Sequence, residues 1–125
     1  MGKSFEEKVA EAKSEVPAIS PQEARKRKEA DPNVLFIDPR DTADIKATTG
    51  MIPDALNVTL NDLCEKDDSE LPQELRDHSR SIITSCQGGP MGAIAAHALK
   101  LRGYQNIQFM DGGTQGWLDA GFTTH

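Results

Sequence analysis

The apolar residues of this chain fall into two patterns that alternate along its length. In the first stretch Phe5, Val9, Ala12 and Val16 recur three to four residues apart, which predicts an amphipathic helix with those four on its inner face. The segment SPQEA predicts a second helix, to about Ala30, with Ser20 as N-cap, Pro21 at the first helical position and Glu23 completing a capping box. The run VLFID is then unbroken in its apolar character, as a strand buried on both faces would be. PRDTADIKATTG predicts a short polar helix or loop, Ala55 to Val58 a pairing segment, and LPQELRDHS a further short helix. SIITSC predicts a second buried strand. MGAIAAHALKLRG predicts a helix stopped by Gly103 with Lys100 and Arg102 in its last turn, and its small residues imply close approach to a sheet. IQFM predicts a third strand, after which DGG turns the chain into a last short helix, TQGWLDAG.

Strands that alternate with helices, at spacings too long for hairpins, predict an α/β domain around a mostly parallel sheet. The stretch Ser81 to Leu99 lacks any charged residue, yet a Gly-Gly-Pro at its midpoint and several polar side chains argue for strand, turn and helix rather than a membrane span. On the helix that follows the turn, His97 shares a face with Ala93, Ala96 and Lys100, opposite Ile94, Ala98 and Leu101, and is expected to be exposed. Trp117 is expected to anchor the last helix by packing.

At 125 residues the chain suits one domain with one core. We read residues 1–17 as an N-terminal helical extension and residues 18–125 as a single domain. The net charge of −6 comes entirely from the middle third: residues 34–80 hold five basic and eleven acidic side chains, while the flanking thirds balance. Such a surface has no broad positive field for nucleic acid, and the one basic run, Arg25 to Lys28, fits a solvated helix face. The first sixteen residues carry charges throughout and no apolar run, so neither a secretory signal nor a transit peptide is expected, and the expected location is the cytoplasm. In that reducing compartment Cys64 and Cys86 are expected as thiols, and neither the cysteines nor the scattered His78, His97 and His125 have the spacing of a metal site.

Candidate chemistry concentrates in SCQGGPMGA, residues 85–93. It joins a predicted strand to a predicted helix, and ligands of α/β domains bind where a strand's carboxyl end meets the next helix. The unpaired N–H groups of a helix start, curled by glycines, can face an anion, and a cysteine sulfur there is placed to act as a nucleophile. Gly88 and Gly89 allow the left-handed backbone such a turn needs, whereas Pro90 removes one donor. These residues fit either a working nucleophile or a buried thiol beside a turn. Asp38 and Arg40 lie just beyond the first buried strand: Arg40 can lend positive charge to the loop, or the pair can fix neighbouring backbone.

Four segments in order resemble the rhodanese superfamily over nearly all of Ser20 to Gly121: LFIDPR, GMIPDALNV, SCQGGPMGA at the active-site loop, and GYQNIQFMDGGTQGWLDAG. The resemblance implies a rhodanese-like α/β fold with a central five-stranded, mostly parallel sheet flanked by helices. It also implies sulfur transfer without metal or organic cofactor. Cys86 would take sulfane sulfur from a small-molecule or protein persulfide or polysulfide donor and pass it to a thiol or cyanide. Backbone N–H groups of Gln87, Gly88, Gly89, Met91 and Gly92 would hold the persulfide, with Pro90 and Arg40 completing the substrate-binding set. The chain departs from the family where Gln87 and Met91 stand at commonly basic places and Met51 replaces the histidine before Ile-Pro. Thiosulfate, a dianion, is therefore expected to be a poor donor. A cysteine phosphatase of this fold would need an arginine six positions beyond the cysteine, where Gly92 stands. The remaining rivals are a non-catalytic rhodanese-like module that binds a protein partner, and a redox switch using Cys64, which its acidic neighbours make a poor participant.

Overall fold

The computed structural model describes residues 2–125. Five strands, β1 (Ala18–Ile19), β2 (Leu35–Asp38), β3 (Leu56–Asn57), β4 (Ser81–Thr84) and β5 (Asn106–Met110), form one sheet in the order β1-β5-β4-β2-β3. Every pairing is parallel. The helices are α1 (Phe5–Glu15), α2 (Pro21–Ala30), α3 (Thr42–Ala47), α4 (Leu60–Glu65), α5 (Pro90–Leu101) and α6 (Gly113–Asp119).

The unbroken apolar strands are explained by burial on both faces. Leu35, Ile37, Ile82, Ile107 and Phe109 point into one cluster with Ala12, Leu63, Ala96 and Leu99, beneath α1, α4 and α5. Phe36, Ile83 and Met110 point the other way, into a second cluster with Ala24 and Trp117 from α2 and α6. Each fully buried Ile or Phe contributes about 1.5–3 kcal/mol over its exposed state. The sheet is thus the middle of three layers. Trp117 meets Phe36 and Phe122 edge-on, at centroid separations of 5.8 and 4.8 Å, and its indole N–H donates to Thr123 O.

Several local expectations need correction. Ser20 caps α2 by accepting from Glu23 N–H at 3.1 Å, but the reciprocal capping box forms at α1, between Ser4 and Glu7. LPQELRDHS supplies only a single 3-10 turn at Gln73–Leu75. β1, two residues long, and α4 were not anticipated; both are too short to show a period. His97 is not on an open face, since Ala93 and Ala96 beside it are wholly buried while Leu101 is 77% exposed. The small residues of α5 are its buried side because they let the helix sit close to its neighbours, and α1 packs against α5, bringing Glu11 to 4.0 Å from His97. Phe5 does not join the inner face of α1: Ala12 and Val16 are buried, whereas Phe5 is 55% exposed.

The basic run of α2 is largely engaged in fold contacts. Arg25 pairs with Glu29 and lies over the Phe122 ring, Arg27 donates to Ser81 Oγ, and Lys28 donates to the carbonyls of Pro32 and Val34. No helix among the described residues is long and apolar enough to cross a membrane.

Candidate functional site

The carboxyl ends of β2, β4 and β5 lie side by side, so the segments leaving them meet at one edge of the sheet. β4 continues into Ser85, whose N–H donates to Ile37 O at 2.9 Å, and then into Cys86. Cys86 is 4% exposed, a free thiol that lines a cavity of about 320 Å³.

Three features of the loop place the sulfur. Gly89 N–H donates to Cys86 Sγ at 3.0 Å. Gly89 adopts φ +116°, which a side chain would strain, and a Cβ there would face Gly112 N at 3.5 Å. Pro90 then starts α5 from the first helical position, where its fixed φ is already helical. Gly92 lies directly behind the cysteine: a Cβ would come within 3.3 Å of Cys86 N, and its carbonyl accepts from Thr84 Oγ1 at 2.6 Å. Any Cβ at that position would ask the backbone that carries the sulfur to give by a few tenths of an ångström. Gly88, by contrast, is exposed, keeps φ outside the left-handed region, and would give a Cβ open space. Gln87 is exposed beside it, and Met91 is half-buried.

The loop's carbonyls turn away from the sulfur, toward the start of α6. Cys86 O accepts from Thr114 N at 2.7 Å, and Gln87 O from Gln115 N at 2.9 Å. A helix start has free N–H groups that need acceptors, and here the candidate loop supplies them. The approach is close enough to demand glycine at residue 113, with φ +61° and a hypothetical Cβ only 2.6 Å from Cys86 O. Ser85 and Thr114 hydroxyls, both buried, share a 2.9 Å hydrogen bond beneath.

Arg40 reaches the cavity wall, yet its guanidinium is buried and its donors are largely committed. Nε and Nη2 grip the Asp38 carboxylate at 3.0 and 2.7 Å, Nη2 also meets Thr49 Oγ1 at 2.9 Å, and Nη1 donates to Thr48 Oγ1 at 3.2 Å. The pair ties the exit of β2 to residues 48–50.

The wall of the cavity thus unites Cys86, Gln87, Pro90, Met91 and Arg40, and adds Asp44, Thr48 and Phe5, which the sequence reading did not assign to it. Gly88, Gly89 and Gly92 lie outside that wall, two of them shaping the backbone behind it. A larger groove of about 770 Å³ runs past Glu15, Arg27, Lys100 and Tyr104, but it contains no nucleophile, and its cations already meet Ser81 and Glu15. Cys64 is exposed on α4 and takes no part in the Cys86 cavity.

The family model for the rhodanese-like domain matches residues 20–120. Among solved structures, a protein of unknown function from Rhodopseudomonas palustris, named as a possible tyrosine phosphatase, superposes with a TM-score of 0.87 at 22% identity, covering 100% of this chain and 96% of its own. The homodimeric polysulfide-sulfur transferase of Wolinella succinogenes gives a TM-score of 0.76 at 24% identity, covering 97% of this chain and 86% of its own. A human single-domain sulfurtransferase gives 0.69 at 24% identity, covering 83% and 96%. No curated protein matches the sequence.

Proposed function

Because the chain belongs to the rhodanese-like family, we propose that it is a sulfurtransferase that carries sulfane sulfur as a persulfide on Cys86. The observation that carries this reading is the Gly89 N–H aimed at Cys86 Sγ at 3.0 Å, where Cys86 lines an open cavity. An amide donor beside a sulfur stabilises negative charge there, which a nucleophilic thiolate and a persulfide both require. Similarity to a polysulfide-sulfur transferase and to a human sulfurtransferase supports the same chemistry.

Cys86 thiolate attacks the outer sulfur of a donor R–S–SH. A new S–S bond forms as the donor's breaks, and RS⁻ departs, leaving Cys86–S–SH. A thiolate or cyanide then attacks that outer sulfur, the S–S electron pair returns to Cys86, and the product leaves as a persulfide or thiocyanate. Thiosulfate would have to leave as sulfite, a dianion, from a wall whose one cation, Arg40, is paired with Asp38. We therefore assign donors among polysulfides and persulfides, with thiosulfate poor, and place the protein in the cytoplasm, where both thiols stay reduced.

Intact-mass measurement after incubation with polysulfide tests the reading. One added sulfur on the wild type and Cys64→Ser, lost in Cys86→Ser, is the expected result. No stable addition would reduce Cys86 to a packing thiol and leave a partner-binding module in its place.

A further inference from the structure

The described residues leave two large apolar side chains exposed, Leu101 and Phe5. Leu101 lines none of the cavities described above, but Phe5 stands on the wall that holds Cys86. It is brought there by the first turn of α1, whose start is fixed by the Ser4–Glu7 capping box and whose far end is anchored through buried Ala12 and Val16. With Pro90 and Met91 it gives the cavity an apolar side, while Asp44 contributes the one carboxylate of the wall.

We propose that Phe5 determines donor specificity by packing against the organic group of a low-molecular-weight persulfide, R–S–SH with an uncharged hydrocarbon or aryl R. This rests on the sulfur-transfer reading and names its substrate class. The wall offers such a donor what its leaving group needs: RS⁻ carries one charge on sulfur, while R finds Phe5, Pro90 and Met91. Burying an aryl ring against Phe5 gives dispersion and area contacts that neither thiosulfate nor inorganic polysulfide can make. The transfer step is the one written above, with RS⁻ as leaving group and no net oxidation.

The test compares initial rates of Cys86 sulfur loading, read by intact mass, from benzyl hydropersulfide generated in solution, inorganic polysulfide and thiosulfate. The variants are Phe5→Ala, Phe5→Leu and Phe5→Arg. Phe5 is exposed and makes no cap, so all three should melt near the wild type, which a thermal scan checks. The expected result is a roughly tenfold fall in the benzyl-to-polysulfide rate ratio in Phe5→Ala, equivalent to about 1.4 kcal/mol. Phe5→Leu should keep most of the ratio, and Phe5→Arg should in addition raise thiosulfate loading. An unchanged benzyl-to-polysulfide ratio in Phe5→Ala, with polysulfide still loading Cys86, overturns the role of Phe5 alone. Failure of the wild type to load from any donor overturns the sulfur-transfer reading and this inference with it.

Discussion

Replacing Gly113 by alanine perturbs Cys86 without altering any residue of its loop. Two adjacent glycines allow the effect to be dissected, because Gly112 and Gly113 both have positive φ, +77° and +61°. An L-residue in that region costs about 1–2 kcal/mol. Alanine regains about 0.4–1 kcal/mol by narrowing the unfolded ensemble. At Gly112 the new Cβ meets only ordinary contacts, Gly116 Cα at 3.5 Å, so Gly112→Ala should lose about 1 kcal/mol. At Gly113 it would lie 2.6 Å from Cys86 O and 2.7 Å from Gln87 O, both backbone atoms. The loop and α6 must part, and two hydrogen bonds, from Thr114 N and Gln115 N, are at stake. Each is worth about 0.5–1.5 kcal/mol, which brings the total for Gly113→Ala to about 3 kcal/mol. In a domain of this size that lowers Tm by about 10 °C. A shift of even half an ångström at the sulfur should slow loading by roughly tenfold or more. Thermal melts and intact-mass loading rates for both variants provide the comparison. Equal melting temperatures and equal loading rates in Gly112→Ala and Gly113→Ala would refute the claim that α6 positions the Cys86 loop.

Two further outcomes concern the frame of the site. Asp38→Asn leaves the buried Arg40 guanidinium without its carboxylate and should cost about 3–5 kcal/mol in urea unfolding; a loss under about 1 kcal/mol would mean that Thr48, Thr49 and Gly50 suffice to hold it. Burial pushes the Tyr104 phenol above its ordinary value of 10.0 while its hydroxyl donates to Leu75 O at 2.5 Å. The folded chain therefore keeps a proton that the unfolded chain releases, so stability is fully present below pH 10 and falls as pH rises beyond it. Tyr104→Phe should flatten that decline in denaturation series taken above pH 9, at the cost of the Leu75 bond, and an unaltered slope would count against burial as the cause.

The three central strands were legible because both of their faces are buried, which leaves apolar runs such as VLFID and SIIT between turn residues. β1 and β3 were not, or only as a vague pairing segment, because two residues cannot display a period. The small residues of α5 do signal its close approach to the sheet, but which of its faces is inward is harder to read. Hydrophobicity ranks Ile94 and Leu101 above Gly92, Ala93 and Ala96, but the helix approaches Cys86 N and the sheet too closely for the larger side chains. Smallness, not apolarity, marks its buried face. On α1 the periodicity is genuine, yet Phe5, in the first turn, is 55% exposed and lines the Cys86 cavity instead of joining the core.

The candidate site was half legible, and the division has a physical basis. A peptide loop has two polar sides. The one that faces the sulfur is written locally, in the Gly89 N–H three residues after Cys86, and a search of residues following the cysteine finds it. The other side, the carbonyls of Cys86 and Gln87, must be satisfied as fully as the first, and its partners are Thr114 and Gln115, far along the chain. Nothing adjacent to Cys86 encodes them. Their signal is the pair Gly112–Gly113, which the sequence reading treated as a turn into the last helix, and whose second member proves to be the one position where any Cβ collides with the cysteine's own carbonyl. Phe5 belongs to the same class of distant determinant, since it reaches the wall only because α1 is laid along α5. If donor choice follows Phe5 and loop geometry follows Gly113, then grafting residues 85–93 alone onto a related domain should transfer neither, while restoring both distant residues should transfer each property separately.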